Sequence, residues 1–253
     1  MKIAKIRSMK GIEKISVLTA YSYSIAKIMD NIVDIILVGD SLGMVVYGFD
    51  GTREVKMQDM IRHTQAVANG AKKALIISDL PYQSDSTEES AIKNAKLLIK
   101  AGANAVKPEG KLPIVAALTK ENIPVMAHIG LLPQTAEKFN VQGRDKQTAE
   151  KLIKEAKQLE EAGAFGVVLE AIPSELAKQI TKSIDIPTIG IGAGPNCDGQ
   201  VLVSNDMLGL YDNFTPKFVK KYADLNEIIT KAVKSYTNDV KEGKFPSKKE
   251  SYE

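Results

Sequence analysis

The chain has 253 residues, 44% of them hydrophobic and 26% charged, with a formal net charge of +3; that balance suits a globular protein with a sizeable core and excludes a disorder-dominated one. No run of about 18 apolar residues is present to span a bilayer, and Met1-Lys2-Ile3-Ala4-Lys5 lacks the apolar stretch of a signal peptide, so a cytoplasmic protein is expected. Apart from Arg7, Arg53, Arg62 and Arg144 the basic residues are all Lys, spread over predicted helix surfaces, which argues against a nucleic-acid partner.

Residues 15–20 read as a first strand, followed by a helix with Ile25, Ala26, Ile28 and Met29 on its buried side. The second strand, Ile35-Ile36-Leu37-Val38, is apolar without alternation, as a strand covered on both faces is. It stops at Gly39-Asp40-Ser41-Leu42-Gly43, where Asp40 either faces a ligand or caps the next turn. Residues 57–69 have helical spacing and end near Gly70; residues 74–78 are again an apolar run, stopping at Asp79-Leu80-Pro81. Ser86 with Glu89 has the spacing of a capping box for a helix through Lys100. The short strand 105–109 must end or bulge at Pro108, which cannot donate to a ladder. A helix over 114–120 leads to a strand over 123–130 that carries His128, and an amphipathic helix over 146–162 leads to a strand over 166–170 that ends in Glu170. A helix from Pro173 to about Ile184 precedes a strand from Pro187 with the glycine-rich exit 190–194, and Met207-Leu208-Gly209-Leu210 is taken as the last strand. From about Pro216 the chain reads as helices, clearest over 225–236, with a polar, frayed tail from about 245 to Glu253.

Eight strands alternating with helices predict one domain over 1–253, an α/β fold that closes best as a (β/α)₈ TIM barrel; an open doubly wound sheet is the alternative. In such a barrel the catalytic groups stand at the C-terminal ends of the strands. Here those ends supply Asp40, Asp79, Glu109, His128 and Glu170. Carboxylates converging on one mouth are costly unless a cation sits among them, and oxygen ligands with neither Cys nor several His point to Mg²⁺. Lys107, on the same strand face as Glu109, adds a fixed positive charge for an anionic oxygen, unless it serves only as a salt-bridge partner.

Other signals are weak. In Gly190-Ile191-Gly192-Ala193-Gly194 the third glycine of a dinucleotide fingerprint is replaced by Pro195. His63 is read as structural or interfacial, and the lone Cys197 as a small loop or core residue. No serine sits in an elbow sequence.

Taken together, Thr19-Ala20-Tyr21, Leu37 through Met44, Asp79-Leu80-Pro81, Ala101 through Lys107 with Glu109-Gly110, His128-Ile129-Gly130-Leu131 with Pro133-Gln134, Val141-Gln142-Gly143-Arg144 and Ile189 through Gly194 resemble the ketopantoate hydroxymethyltransferase family. The resemblance implies a barrel of the phosphoenolpyruvate/pyruvate type in a homo-oligomer, a decamer or octamer. It implies transfer of a one-carbon unit from 5,10-methylenetetrahydrofolate to 3-methyl-2-oxobutanoate, with Mg²⁺, in pantothenate and coenzyme A synthesis. It makes Asp40 and Asp79 metal ligands, with Glu109 at the metal directly or through water. Asp40, Ser41, Asp79 and Lys107 then correspond to the keto-acid site, His128 to a residue near the substrate, and Glu170 to the general base. The chain departs from the family pattern at Ser22, where Asp is common, at Pro108, and in a shorter segment before Val141. A related Mg²⁺-dependent lyase or mutase of 2-oxo acids, and a non-catalytic oligomeric barrel, are the competing readings.

Overall fold

The computed structural model describes residues 2–211 and 215–252. It divides into two compact units, one up to Val203 and one from Ser204. Among the described residues the first unit holds eight strands: β1 (Ile15–Thr19), β2 (Ile35–Val38), β3 (Leu75–Asp79), β4 (Ala105–Lys107), β5 (Met126–Gly130), β6 (Gly166–Glu170), β7 (Thr188–Ile191) and β8 (Gly199–Leu202). All neighbours pair parallel in the order β4-β3-β2-β1-β8-β7-β6-β5. A parallel bridge between Val106 and Val125 joins the two ends, so the sheet is a (β/α)₈ barrel rather than an open one.

Strand period decides what faces inward. Side chains alternate across a strand, and Val17, Ile35, Leu37, Leu75, Ile77, Ala105, Met126, Val168, Ile189 and Val201 share one cluster inside the barrel. Their alternates, such as Ile36, Val38, Ile76, Val106, Ala127, Val167 and Leu169, pack outward against the helices. The interior leaves a cavity of about 10 Å³, so it is a packed core and not a pore. Extending the inward rows to the C-terminal ends of the strands gives Asp79 after Ile77, Lys107 after Ala105, His128 after Met126 and Glu170 after Val168. The same alternation that fills the core therefore delivers the polar residues to its upper surface.

The opposite end is closed by α1 (Lys2–Ser8), a helix not expected from sequence, through Ile6 and Met9. Lysines tie this segment to the strand entrances: Lys2 Nζ donates to Ala74 O at 2.8 Å, Lys10 Nζ to Asp198 Oδ2 at 2.9 Å and Lys14 Nζ to Cys197 O at 2.6 Å. The outer layer is α2 (Tyr23–Met29), α4 (Met57–Gly70), α5 (Glu88–Lys100), α6 (Leu112–Lys120), α7 (Lys146–Glu161) and α8 (Ser174–Ser183), with the short α3 (Leu42–Val45) directly after the Asp40 turn. Fully buried Met60, Val67, Leu98, Leu118, Leu159 and Ile180 attach them to the sheet, each worth about 1.5–3 kcal/mol of apolar burial.

Four expectations need correction. The last strand is Gly199–Leu202, not 207–210. Its two apolar residues make no run to notice, and it fits between its neighbours because Gly199 has no side chain: a Cβ there would lie 2.4 Å from Ile15 O and 2.7 Å from Ile189 Cδ1. Residues 207–210 instead end α9 (Ser204–Met207) and its turn, in the second unit. The cap of α5 is Thr87, which accepts from Ser90 N, one position after the expected Ser86. α6 starts at Leu112, two residues early, with Pro113 in its first turn. Ile28 is exposed rather than on the buried face of α2. As expected, β4 stops at Lys107, before Pro108.

In the second unit, α10 (Leu225–Lys241) runs beyond the expected 225–236. Asp224 caps it, accepting from Glu227 N at 3.1 Å. Of the expected tail, Glu253 lies outside the described residues. Among the described residues no helix is long and apolar enough to cross a membrane.

Candidate active site

The strand-end residues meet. Asp79 receives Lys107 Nζ 2.9 Å from its Oδ1, while its Oδ2 accepts the backbone N–H of Asp40 at 3.0 Å. The Lys107 contact is an ion pair off hydrogen-bond alignment, which leaves Asp79 Oδ1 buried and without a hydrogen bond. Asp40 Oδ2 accepts Gln134 Nε2 at 2.7 Å, and Glu109 Oε2 accepts Gln134 N at 3.1 Å. His128 lies between two acids, with Nδ1 3.8 Å from Glu109 Oε1 and Nε2 3.1 Å from Glu170 Oε2. Neither ring nitrogen is aligned for a hydrogen bond. Ser41 Oγ and Tyr21 OH are 2.8 Å apart. Asp40, Asp79, Lys107, Glu109 and His128 are all buried, whereas the Glu170 side chain keeps 18% of its surface open.

Electrostatics follow from that burial. Burial, and then the neighbouring Asp79, push the Asp40 carboxyl up to about 7. Burial and the Asp40 charge push Glu109 up to about 9. Burial works against the Lys107 charge, but Asp79, Glu109 and Asp40 outweigh it and hold the ammonium above its ordinary range. His128 is lowered, by burial first and then by Lys107, so it is neutral at neutral pH.

Three carboxylates facing one fixed ammonium leave two negative charges when all are ionised, which a divalent cation would balance. The donors are hard carboxylate oxygens; Asp79 Oδ1, ion-paired with the Lys107 ammonium, accepts no aligned hydrogen bond. Among the described residues no three His, Cys, Asp or Glu side chains form a ready ligand cluster.

Each candidate can now be placed. Asp40 does not cap α3: Ser41 occupies that position, without a side-chain cap bond. Lys107 is a salt-bridge partner, and its partner is itself a site residue. Pro108 ends the strand without removing Glu109 from the site, where it is 4% exposed. His63 is apart, on α4, with Nδ1 2.5 Å from Tyr21 O and Nε2 2.9 Å from Tyr47 OH, and Cys197 is buried. Ser22 is the N-cap of α2, with no side-chain cap bond. Gln134, noted in the sequence only within the Pro133-Gln134 motif, was given no role in the site. Two buried carboxylates need donors, and that need was the available signal.

Residues 1–248 match the profile of ketopantoate hydroxymethyltransferase. The chain belongs to this family. It is 50% identical over 254 residues to the 3-methyl-2-oxobutanoate hydroxymethyltransferase of Caldicellulosiruptor saccharolyticus, covering 97% of this chain and 96% of that one. It is 53% identical over 254 residues to the enzyme of that name from Enterococcus faecalis, covering 97% and 91%. The family assignment makes the protein an enzyme, a transferase. Among solved structures, phosphonopyruvate hydrolase in complex with oxalate and Mg²⁺ superposes with a TM-score of 0.65 at 14% identity, covering 99% of this chain and 93% of that one. A 2,3-dimethylmalate lyase, of the PEP mutase/isocitrate lyase superfamily, gives 0.60 at 14% identity, with 99% and 92% covered. At that identity the likeness shows the barrel fold alone.

Proposed function

We propose that the protein transfers a hydroxymethyl group from 5,10-methylenetetrahydrofolate to 3-methyl-2-oxobutanoate, giving 2-dehydropantoate for pantothenate and coenzyme A synthesis. The observation that carries the reading is the upper layer of the barrel, where Asp40, Asp79 and Glu109 surround Lys107 while the more open Glu170 stands beside a neutral His128. Asp40 and Asp79 would hold Mg²⁺, with Glu109 reaching it directly or through water. When bound, Mg²⁺ supplies a Lewis acid for the carboxylate and keto oxygens of the 2-oxo acid.

The residues of the chain do the rest. Lys107 places a buried positive charge where the keto oxygen gains negative charge, and the low-polarity surroundings make that charge count. Ser41, oriented by Tyr21, offers a hydroxyl to the keto acid. Glu170 takes the proton from C3; one water hydrolyses the two C–N bonds of the folate methylene bridge, releasing tetrahydrofolate and the carbon at the oxidation level of formaldehyde, and C3 of the enolate attacks that carbon, whose oxygen takes up a proton to become the new hydroxyl. His128, with Nε2 3.1 Å from Glu170 Oε2, stands beside the base and near the substrate. Because folate supplies the electrophile, no nucleophilic Cys or Ser is needed. A homo-oligomer, a decamer or octamer, and a cytoplasmic place belong to the same proposal.

The test is a product assay with 3-methyl-2-oxobutanoate and methylenetetrahydrofolate, before and after exhaustive EDTA treatment. Ketopantoate should form, stop after chelation and return with Mg²⁺. Full activity after chelation would remove the metal from the reading. Cleavage of a 2-oxo acid in place of ketopantoate formation would favour the lyase reading.

A further inference from the structure

Gln134 lies in the loop between β5 and α7 and is 2% exposed, although an amide of its length gains from burial only when its polar atoms are satisfied. Its Nε2 donates to Asp40 Oδ2 at 2.7 Å and to Leu80 O at 2.9 Å, and its backbone N–H donates to Glu109 Oε2 at 3.1 Å. One residue thus binds the exits of β2, β3 and β4 from a loop that follows β5. The loop is held in turn from the segment between α3 and α4. Arg53 Nε donates to Gln134 O at 2.8 Å and Arg53 Nη2 to Ala136 O at 3.2 Å, with the guanidinium 5.7 Å from the centre of the Tyr82 ring.

We infer that Gln134 is a positioning residue, clamping Asp40 and Glu109 in a fixed mutual geometry, that Arg53 latches the clamp, and that the two together set the affinity of the site for a divalent cation. The inference rests on the proposed reading of Asp40 as a metal ligand. Two buried carboxylates repel each other, so without donors between them they turn apart. Gln134 places one donor on each carboxylate, its side-chain amide on Asp40 and its backbone N–H on Glu109, and so fixes the two relative to each other. Arg53 touches neither carboxylate in this arrangement; its two hydrogen bonds go to the main chain of the loop.

The substitutions separate the two parts. Gln134→Met keeps the length and the backbone N–H to Glu109 but removes the donor to Asp40; Arg53→Ala leaves Gln134 in the sequence and frees its loop. Mn²⁺ is titrated into the full-length wild type and both variants, with free Mn²⁺ read by electron paramagnetic resonance and folding checked by circular dichroism. Loss of a residue hydrogen-bonded to a metal ligand costs about 10–100-fold in metal affinity, and Gln134→Met should fall in that range. Arg53→Ala should weaken Mn²⁺ binding less, and its lost activity should return at high Mg²⁺, giving a raised half-saturating Mg²⁺ concentration with kcat retained. A merely structural loop contact would lower the melting temperature and leave the Mn²⁺ affinity of folded Arg53→Ala unchanged, which overturns the latch. Wild-type affinity in Gln134→Met overturns the clamp. If the wild type itself does not bind Mn²⁺, the cation-site reading fails and the clamp fails with it.

Discussion

Removing divalent cations should make the protein less stable as pH rises. The perturbation is EDTA, with pH taken from about 4 to about 9. The sign follows from Asp40 and Glu109, whose carboxyls are raised in the folded protein to about 7 and about 9. A raised carboxyl pKa means that the folded state binds more protons than the unfolded one, so stability is greatest below the unfolded pKa and is lost as pH climbs to the folded value. For Asp40, moving from 3.8 to about 7 at 1.36 kcal/mol per pH unit corresponds to about 4 kcal/mol lost between about pH 4 and about pH 7. Glu109 extends the decline to about pH 9. At roughly 2–4 °C per kcal/mol for a chain of this size, the Asp40 part alone lowers the melting temperature by about 8–16 °C. Circular dichroism melts in EDTA should show this decline, and Asp40→Asn should reduce its slope. Mg²⁺ should oppose it at the alkaline end, because the cation binds the deprotonated site and releases protons. A metal-free melting temperature that is flat or rising over this range, with the same slope in Asp40→Asn, would refute the reasoning.

Two further outcomes follow from single contacts. Lys107→Met removes the ammonium beside Asp79 and with it the charge proposed for the developing oxyanion, so kcat in the product assay should fall by about 10²–10³-fold; activity within a few-fold of wild type would remove Lys107 from the mechanism. Gly130→Ala should destabilise the fold by about 3 kcal/mol or more in denaturant titration, because φ is +97° and the new Cβ would lie 2.2 Å from Glu170 O; a loss under about 1 kcal/mol would show that the β5–β6 edge can shift.

Much of this layout was legible because burial and chemistry follow the same period. Ile77-Ser78-Asp79 and Ala105-Val106-Lys107 each put a polar residue two places beyond an inward apolar one, so strand, face and site could be read together. Where local pattern carries no such information, the sequence was silent or misleading. β8 has only Val201 and Leu202 to mark it, and its place depends on the fit of Gly199 against Ile15, a contact 184 residues distant in the chain. α1 reads as an ordinary lysine-rich segment until the barrel entrance it covers is known. Gln134 stands in a recognisable motif, but its task is hidden until folding brings Asp40 and Glu109 to its side-chain and backbone donors.

The division of labour between the cation site and the base can be tested before folate enters the reaction. Glu170 takes the C3 proton first, so wild-type enzyme with Mg²⁺ and 3-methyl-2-oxobutanoate in D₂O should exchange that hydrogen with solvent, as followed by proton NMR. Glu170→Gln is nearly isosteric but cannot accept the proton. It should still bind the keto acid and the cation while losing exchange and turnover together, by about 10²-fold or more. Exchange at the wild-type rate in Glu170→Gln would contradict the account and pass the role of base to another group, with His128, 3.1 Å away, the first to examine.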